Sequence, residues 1–252
     1  IQGTPTVSAI TLAWTALGSA VTDYELRYST NPDPSGGTAV TVANNGSPYT
    51  LTDRAPNTRY YFQLRARNAT GLSAPTATID ALTLPAQPQG FAIQGGSVQA
   101  TQVTVQWDGT SPNPDSYTLT YSTDPGLAGA SSLTPGGGAT SQVVAGLTPN
   151  TTYYFRLVAN NATGASAPTA IIDQLTLPAA PASLTVSNVG TTTLTLSWPS
   201  VGGLSGYQLK YSTNPDGEGG ETREINDGTA TGTNVTGLSQ NTTYYFKLRA
   251  KN

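Results

Sequence analysis

The side chains that could do chemistry in this sequence are of few kinds. The 252 residues include no His, Cys or Met, so carboxylates, hydroxyls and Lys are the reactive groups. A Ser-His-Asp triad, a thiolate nucleophile, and zinc, haem or iron–sulfur sites with their usual ligands all need residues that are absent here. Paired carboxylates remain, but the 14 acidic residues are scattered and no pair recurs. We therefore expect no catalytic residue, no cofactor and no enzymatic activity.

One acidic loop has the oxygen atoms that calcium prefers. Its sequence is Asn-Pro-Asp-Gly-Glu-Gly-Gly-Glu over residues 214–221. The spacing does not match an EF-hand, and the corresponding segments at 31–37 and 124–129 contain fewer acids. The pattern favours a solvated hairpin loop, and we predict no metal site.

Charge and hydropathy exclude two further classes of partner. Eleven basic and 14 acidic residues give a net charge of -3, which provides no electrostatic footprint for nucleic acid or for an anionic membrane. No run approaches the 18 apolar residues of a membrane-spanning helix. Residues 1–4 lack the features of a signal peptide, which indicates a mature or partial segment.

Aromatic residues repeat at a fixed interval along the chain. The three Trp are spaced by 93 and 91 residues, and each is followed by a Tyr-x-x-x-Tyr and later by a Tyr-Tyr-Phe. Three copies of one domain account for this period. The predicted core aromatics are Trp14, Tyr24 and Tyr60 in the first copy, Trp107, Tyr117 and Tyr153 in the second, and Trp198, Tyr207 and Tyr244 in the third.

Alternation of apolar and polar residues predicts what these copies are built from. Ile10, Leu12 and Trp14 alternate with polar or small residues, and the same period of two recurs around each later aromatic group. Gly, Pro, Asn and Asp cluster between the runs as turn residues. The sequence therefore predicts an all-β chain of three small antiparallel sandwiches.

These residues resemble the fibronectin type III module. The most specific piece is Leu-Thr-Pro-Asn-Thr-Thr-Tyr over residues 147–153, which resembles the tyrosine corner of that family, and residues 238–244 repeat it without the Pro. In the first copy Arg54 replaces the Leu, which leaves the packing under Tyr60 uncertain and allows a surface ion pair with Asp53. The resemblance implies an immunoglobulin-like sandwich in every copy.

The three predicted domains are residues 1–84, 85–177 and 178–252. Aligning Ile1 with Ile93 leaves the first copy without most of its first strand, and the third copy stops before its last strand. Unpaired sheet edges of this kind are normally avoided or covered. We interpret the chain as a window from a longer array, with strand addition by a neighbouring chain as the alternative.

Two sets of surface residues are candidate sites. Tyr61, Tyr154 and Tyr245 point outward at the same place in each copy and could stack on a polysaccharide or on a neighbouring subunit, or they could be ordinary strand residues on a solvated face. Asn-x-Ser/Thr sequons suggest surface loops and candidate N-glycosylation at Asn68, Asn150, Asn161, Asn234 and Asn241.

The joints between copies are short and contain two Pro each, which predicts restricted angles between domains and an extended rod. We therefore expect a non-catalytic structural or adhesive segment of an extracellular fibre or cell-surface protein. Its expected partners are itself, neighbouring repeats, or a polysaccharide or cell-surface ligand. The alternative is a spacer in a secreted carbohydrate-active enzyme.

Overall fold

The computed structural model describes residues 2–110 and 112–252, and in them the chain is all-β. Its 22 strands form six antiparallel sheets, two for each repeat, and the other regular elements are the short 3-10 turns Gly18–Ala20 and Pro34–Gly36. None of the helices within the described residues is long and apolar enough to span a membrane.

The first repeat contains eight strands. One sheet has the order β1-β2-β5, and the other has the order β4-β3-β6 with β7 and β8 also paired to β6. The strands are β1 Gln2–Pro5, β2 Ile10–Ala13, β3 Asp23–Ser29, β4 Thr38–Ala43, β5 Tyr49–Leu51, β6 Arg59–Asn68, β7 Gly71–Leu72 and β8 Ile79–Leu82.

The second repeat has the same arrangement, and the third has it without a counterpart of β7 and β8. The strands of the second are β9 Ala92–Ile93, β10 Gln102–Gln106, β11 Ser116–Ser122, β12 Ser131–Leu133, β13 Ser141–Ala145, β14 Thr152–Asn161, β15 Gly164–Ala165 and β16 Ile172–Leu175. Those of the third are β17 Thr185–Ser187, β18 Thr193–Ser197, β19 Gly206–Ser212, β20 Glu221–Ile225, β21 Gly232–Thr236 and β22 Tyr245–Lys251.

Each repeat has its own apolar core between its two sheets. The Trp packs against the first Tyr of its repeat with ring centroids 5.5, 5.2 and 5.3 Å apart in the three copies, and the two rings are steeply inclined. These Tyr side chains are buried in all three copies, as are Trp107 and Trp198, while Trp14 is half-buried. Aromatic pairs with this geometry add stability beyond the area that they bury.

A tyrosine corner is present in every repeat. The hydroxyl oxygens of Tyr60, Tyr153 and Tyr244 each accept a hydrogen bond of 3.0 Å from the backbone N–H five residues earlier. In the first repeat the Arg54 guanidinium lies 4.7 Å from the centre of the Tyr28 ring and 5.5 Å from that of Tyr60. It does not form the ion pair with Asp53 that we expected, because it covers these rings where the other repeats have Leu.

The first strand of the first repeat is present, contrary to the expectation. Gln2 pairs with Ala13 just before Trp14, as Ala92 pairs with Gln106 and Thr185 with Ser197. Gln2 is therefore the counterpart of Ala92. The alignment of Ile1 with Ile93 placed Gln2 at Gln94 instead, two residues further along the second repeat. Ile1 itself lies outside the described residues.

Among the described residues, the third repeat contains no strand equivalent to β8 or β16. In the other repeats β8 and β16 pair with the beginning of the long strands β6 and β14. The long strand of the third repeat, β22, accordingly begins only at Tyr245. A groove of about 370 Å³ runs beside it, and Val186, Leu194, Tyr244 and Phe246 line it.

Candidate functional site: the joints between repeats

Among the described residues, no group of acidic residues is placed to hold a metal ion. In the acidic loop after β19, Asp216 Oδ1 accepts the backbone N–H of Glu218 at 2.7 Å, and the Lys247 ammonium donates to the Asp216 carbonyl oxygen at 2.7 Å. These bonds are typical of a tight hairpin loop. The most specific arrangement of polar side chains lies instead at the joints between repeats.

Asn57 is the centre of the first joint. It lies in the turn before β6 with a φ of 47°, a left-handed conformation that Asn adopts more readily than most residues. Its side-chain Nδ2 donates to the carbonyl oxygens of Pro112 at 3.4 Å and Asn113 at 2.7 Å, both in the second repeat. Its backbone N–H donates to the Leu84 carbonyl oxygen at 3.0 Å, which holds the turn to the beginning of the linker.

Asn161 closes the same joint from the second repeat. Its Nδ2 donates to Asn57 Oδ1 at 2.7 Å and to the Thr83 carbonyl oxygen at 2.8 Å. Its own Oδ1 accepts the backbone N–H groups of Thr163 and Gly164, which fixes the direction of the amide. All four Nδ2 hydrogens of the two amides therefore donate across the joint. The two Asn side chains contribute four hydrogen bonds between the repeats in addition to the linker.

The second joint repeats this arrangement with the equivalent residues. Asn150, with a φ of 50°, donates from Nδ2 to the carbonyl oxygens of Gly202 at 3.2 Å and Gly203 at 2.9 Å. Asn252 Nδ2 donates to Asn150 Oδ1 and to the Thr176 carbonyl oxygen, both at 2.9 Å. The recurrence shows that the joint is a feature of the repeat and that both junctions have one geometry.

A buried Thr anchors each joint to the module that precedes it. Thr83 and Thr176 are fully buried. The Thr176 hydroxyl donates to the Thr148 carbonyl oxygen at 2.8 Å and accepts the Thr151 N–H at 3.0 Å, and Thr83 makes the same bonds to Ala55 and Thr58. The backbone carbonyl oxygens of Thr83 and Thr176 accept hydrogen bonds from the side-chain amides of Asn161 and Asn252. Because both Thr are buried, these bonds attach the joint to the interior of the preceding module.

Two glycines show how closely the modules approach. A Cβ on Gly203 would lie 2.5 Å from Asn150 Nδ2, and its φ of 73° also favours glycine. A Cβ on Gly164 would lie 3.3 Å from Leu84 Cδ2, so the Leu84 side chain packs on the bare backbone of the next repeat. Further contacts at the first joint run from Thr163 Oγ1 to the Leu82 carbonyl oxygen and from Gln87 Nε2 to the Pro168 carbonyl oxygen.

The sequence prediction missed this role of the Asn residues. Asn150 and Asn161 were singled out as sequons, and Asn57, Asn252 and the two buried Thr were not singled out at all. A glycan on Asn150 or Asn161 would replace one of the two Nδ2 hydrogens with which that residue bridges the joint. Asn68, Asn234 and Asn241 are sequons whose side chains lie outside the two joints. The available signal was the recurrence of Asn at two positions in each repeat.

The outward Tyr residues occupy one equivalent position in each repeat. Tyr61 and Tyr154 lie opposite Asp80 and Asp173 of the last strands and are half-buried. Tyr245 has no such neighbour and is 41% exposed. The surface that they present therefore differs between the third repeat and the other two.

Charged residues line the outer face of the same sheets, with a different pattern in each repeat. In the first, Glu25 is buried beside the Arg27 guanidinium, with Oε1 2.8 Å from Arg27 Nε, and this hydrogen bond holds the pKa of Glu25 below its usual range. In the third, Lys210 lies directly opposite Lys247 on the neighbouring strand. Like charges in this position are unfavourable.

Three sandwiches of one topology, joined through the same polar contacts, define a tandem-module β-protein. The chain belongs to the fibronectin type III family. The sequence model of the fibronectin type III domain matches it three times, at residues 2–81, 86–174 and 179–252. These matches lie within the three predicted domain ranges.

Two relatives are similar in sequence to most of the chain. Human tenascin-R is 28% identical over 96% of the chain, and exoglucanase B of Cellulomonas fimi is 29% identical over 98% of it. The chain spans only 17% and 23% of these two proteins. Among solved structures, the chicken CNTN1 FN1–FN3 domains are 19% identical, covering 100% of this chain and 92% of that one, with a TM-score of 0.37. A two-domain segment of chicken tenascin is 22% identical over 69% of this chain and 97% of that one, with a TM-score of 0.46.

Proposed function

We propose that the chain is a non-catalytic structural and adhesive segment of an extracellular fibre or cell-surface protein, in which the modules supply length, stiffness and contact surfaces. The observation that carries this proposal is the repeated joint of Asn57 with Asn161 and of Asn150 with Asn252. A linker alone permits many angles between modules, whereas side-chain bonds that recur at each junction restrict the angle. Stiffness of this kind is what a spacer needs.

The relatives support the same class of role. Similarity to tenascin-R extends along nearly the whole chain. Since the chain spans a small part of that protein, the partners of tenascin-R are not transferred to it. The extracellular or cell-surface location is part of the proposal.

Two surfaces are proposed for contacts with partners. The first consists of Tyr61, Tyr154 and Tyr245, which could stack on a polysaccharide or on a neighbouring repeat in a fibre. The second is the groove beside β22, where Val186 is 51% exposed and an added strand could pair with the free edge. Replacing the three Tyr by Ser tests the first surface: loss of assembly or adhesion supports it, and unchanged assembly contradicts it.

A spacer in a secreted carbohydrate-active enzyme is the second candidate function. Its support is the match to exoglucanase B, which includes 98% of the chain. The two candidates differ in what the neighbouring sequence should contain. A catalytic domain beside these modules favours the enzyme spacer, and further modules or a surface anchor favour the fibre.

Small-angle X-ray scattering of the whole chain tests the stiffness. Strands at about 3.4 Å per residue predict a rod of order 80–100 Å for three modules in line. We expect Asn57→Ala combined with Asn150→Ala to broaden the distribution of overall dimensions without unfolding the modules. The matched control is Asn241→Ala, because Asn241 has the same left-handed turn, with a φ of 52°, outside both joints.

Two results would contradict the proposal. The first is a broad distribution of dimensions in the unaltered chain. The second is electron microscopy of the native material that shows isolated globular particles with no rods or filaments.

A further inference from the structure

The face of the first repeat that carries Asn68 matches the face through which the second repeat accepts its neighbour. Asn68 is the counterpart of Asn161. Its Oδ1 accepts the N–H groups of Thr70 at 2.9 Å and Gly71 at 3.2 Å, as Asn161 Oδ1 accepts those of Thr163 and Gly164 at the same two distances. Because this turn directs the amide of Asn161 into the joint, it directs the Asn68 amide to the same side of its own repeat.

Within the described residues, the contacts that partly cover Asn161 have no counterpart at Asn68, which is exposed. A Cβ on Gly164 would meet Leu84 of the preceding repeat, whereas a Cβ on Gly71 would meet no atom within 4 Å. Beside Gly71 is a pocket of about 240 Å³ that Val21, Ala66 and Leu72 help to line, and Leu72 is 40% exposed. The first repeat thus has an open pocket, lined by apolar and polar residues, at the position where the second repeat accepts a Leu side chain.

We infer that this face, defined by Asn68, Thr70, Gly71 and Leu72, is a docking surface for the carboxyl-terminal end of another fibronectin type III module. The partner must offer the chemistry of residues 82–85 and Asn57 in this chain. That chemistry is a Leu side chain before a Pro, carbonyl oxygens at the end of the last strand, and an Asn in the turn before the long strand. The inference rests on the proposed function, since it extends the same joint to a further module.

The roles of the docking residues follow from the first joint. The Leu of the incoming module fills the pocket at Gly71, as Leu84 packs on Gly164. The Asn68 amide donates to the side-chain oxygen of the incoming Asn and to a strand-end carbonyl oxygen, as Asn161 does. The Thr70 hydroxyl donates to a second carbonyl oxygen, as Thr163 Oγ1 donates to that of Leu82 at 2.8 Å.

A four-module protein tests the inference. Residues 85–184 are placed directly before Gln2, which preserves the register because Gln2 and Thr185 hold equivalent positions opposite Ala13 and Ser197. Residual dipolar couplings then give one alignment tensor for each module. We expect the added module to share the tensor of the first repeat. Asn68→Ala and Thr70→Val should each separate these two tensors, and should leave the three-module chain unchanged.

The outcomes separate this inference from the proposed function. An added module that moves independently of the first repeat, while the first and second repeats stay aligned, overturns the inference and leaves the proposed function standing. Alignment that survives both Asn68→Ala and Thr70→Val also overturns it. Independent motion of the first and second repeats in the unaltered protein contradicts the proposed function itself. Asn161→Ala, which should release these two repeats from each other, provides the reference for independent motion.

Discussion

The side-chain amide of Asn161 donates to the side-chain oxygen of Asn57 over 2.7 Å, across a separation of 104 residues in sequence. The same relationship links Asn252 to Asn150 over 2.9 Å. In each pair one Asn belongs to a turn and the other to the end of a long strand of the next module. The pairing therefore links the turn of one module to the strand end of the next.

Thr176 should be important for stability although it is a small polar residue. Thr176→Val removes the hydroxyl that donates to Thr148 and accepts from Thr151 in a fully buried position. Leaving such groups unpaired costs about 1–3 kcal/mol, so the free energy of unfolding should fall by that amount. Chemical denaturation measures it. Thr78→Val, at an exposed position, is the control, and equal stability of the two variants would contradict the assigned role.

The tyrosine corner depends on a hydroxyl group. Tyr153→Phe leaves the Thr148 N–H without its 3.0 Å acceptor while keeping the ring. We expect a loss of about 1 kcal/mol in the free energy of unfolding. Tyr154→Phe is the matched control, because Tyr154 is the outward neighbour in the same strand. If both variants unfold at the same denaturant concentration, the corner contributes nothing.

Glu25 should make the first repeat sensitive to acid. Its pKa is lowered chiefly by the hydrogen bond from Arg27, so the stability that it contributes is present above the ordinary pKa of a Glu and is lost as the pH falls through the lowered value. Glu25→Gln should flatten the dependence of unfolding on pH in that acidic window. Thermal unfolding at a series of pH values measures this. An unchanged slope in the variant would refute it.

The Lys210–Lys247 pair should weaken the third repeat. Lys210→Thr introduces the residue that the second repeat has at this position, opposite Arg156, and removes the like-charge pair. We expect a gain of about 0.2–1 kcal/mol at low ionic strength that diminishes as salt is added. The reciprocal change Thr120→Lys should destabilise the second repeat. A gain that does not depend on salt would exclude the electrostatic explanation.

The sandwich could be predicted from sequence because its determinants are periodic and local. Trp14, Tyr24 and Tyr60 recur at one interval and alternate with polar residues, which constrains both the strand period and the number of modules. The side chain of Arg54 was harder to place, because one of the two rings that it covers belongs to Tyr28 on another strand, while Asp53 is adjacent in sequence.

The joints could not be predicted for a related reason. Asn57 in a left-handed turn precedes a Thr, as Asn241 does, and Asn241 has a similar φ value outside the joints. Only the approach of a second module distinguishes them, and that depends on linker geometry and, at the second joint, on the absence of a Cβ at Gly203. The register of Gln2 was misplaced because the alignment matched residue types, whereas the pairing of Gln2 with Ala13 makes it the counterpart of Ala92.

The most direct measurement is the relative alignment of the first and second repeats in solution. Residual dipolar couplings of the full chain should give the two modules one common alignment tensor, and combined Asn57→Ala and Asn161→Ala should give them different tensors while each module stays folded. Different tensors in the unaltered chain would contradict the account that the Asn pair fixes the angle between modules.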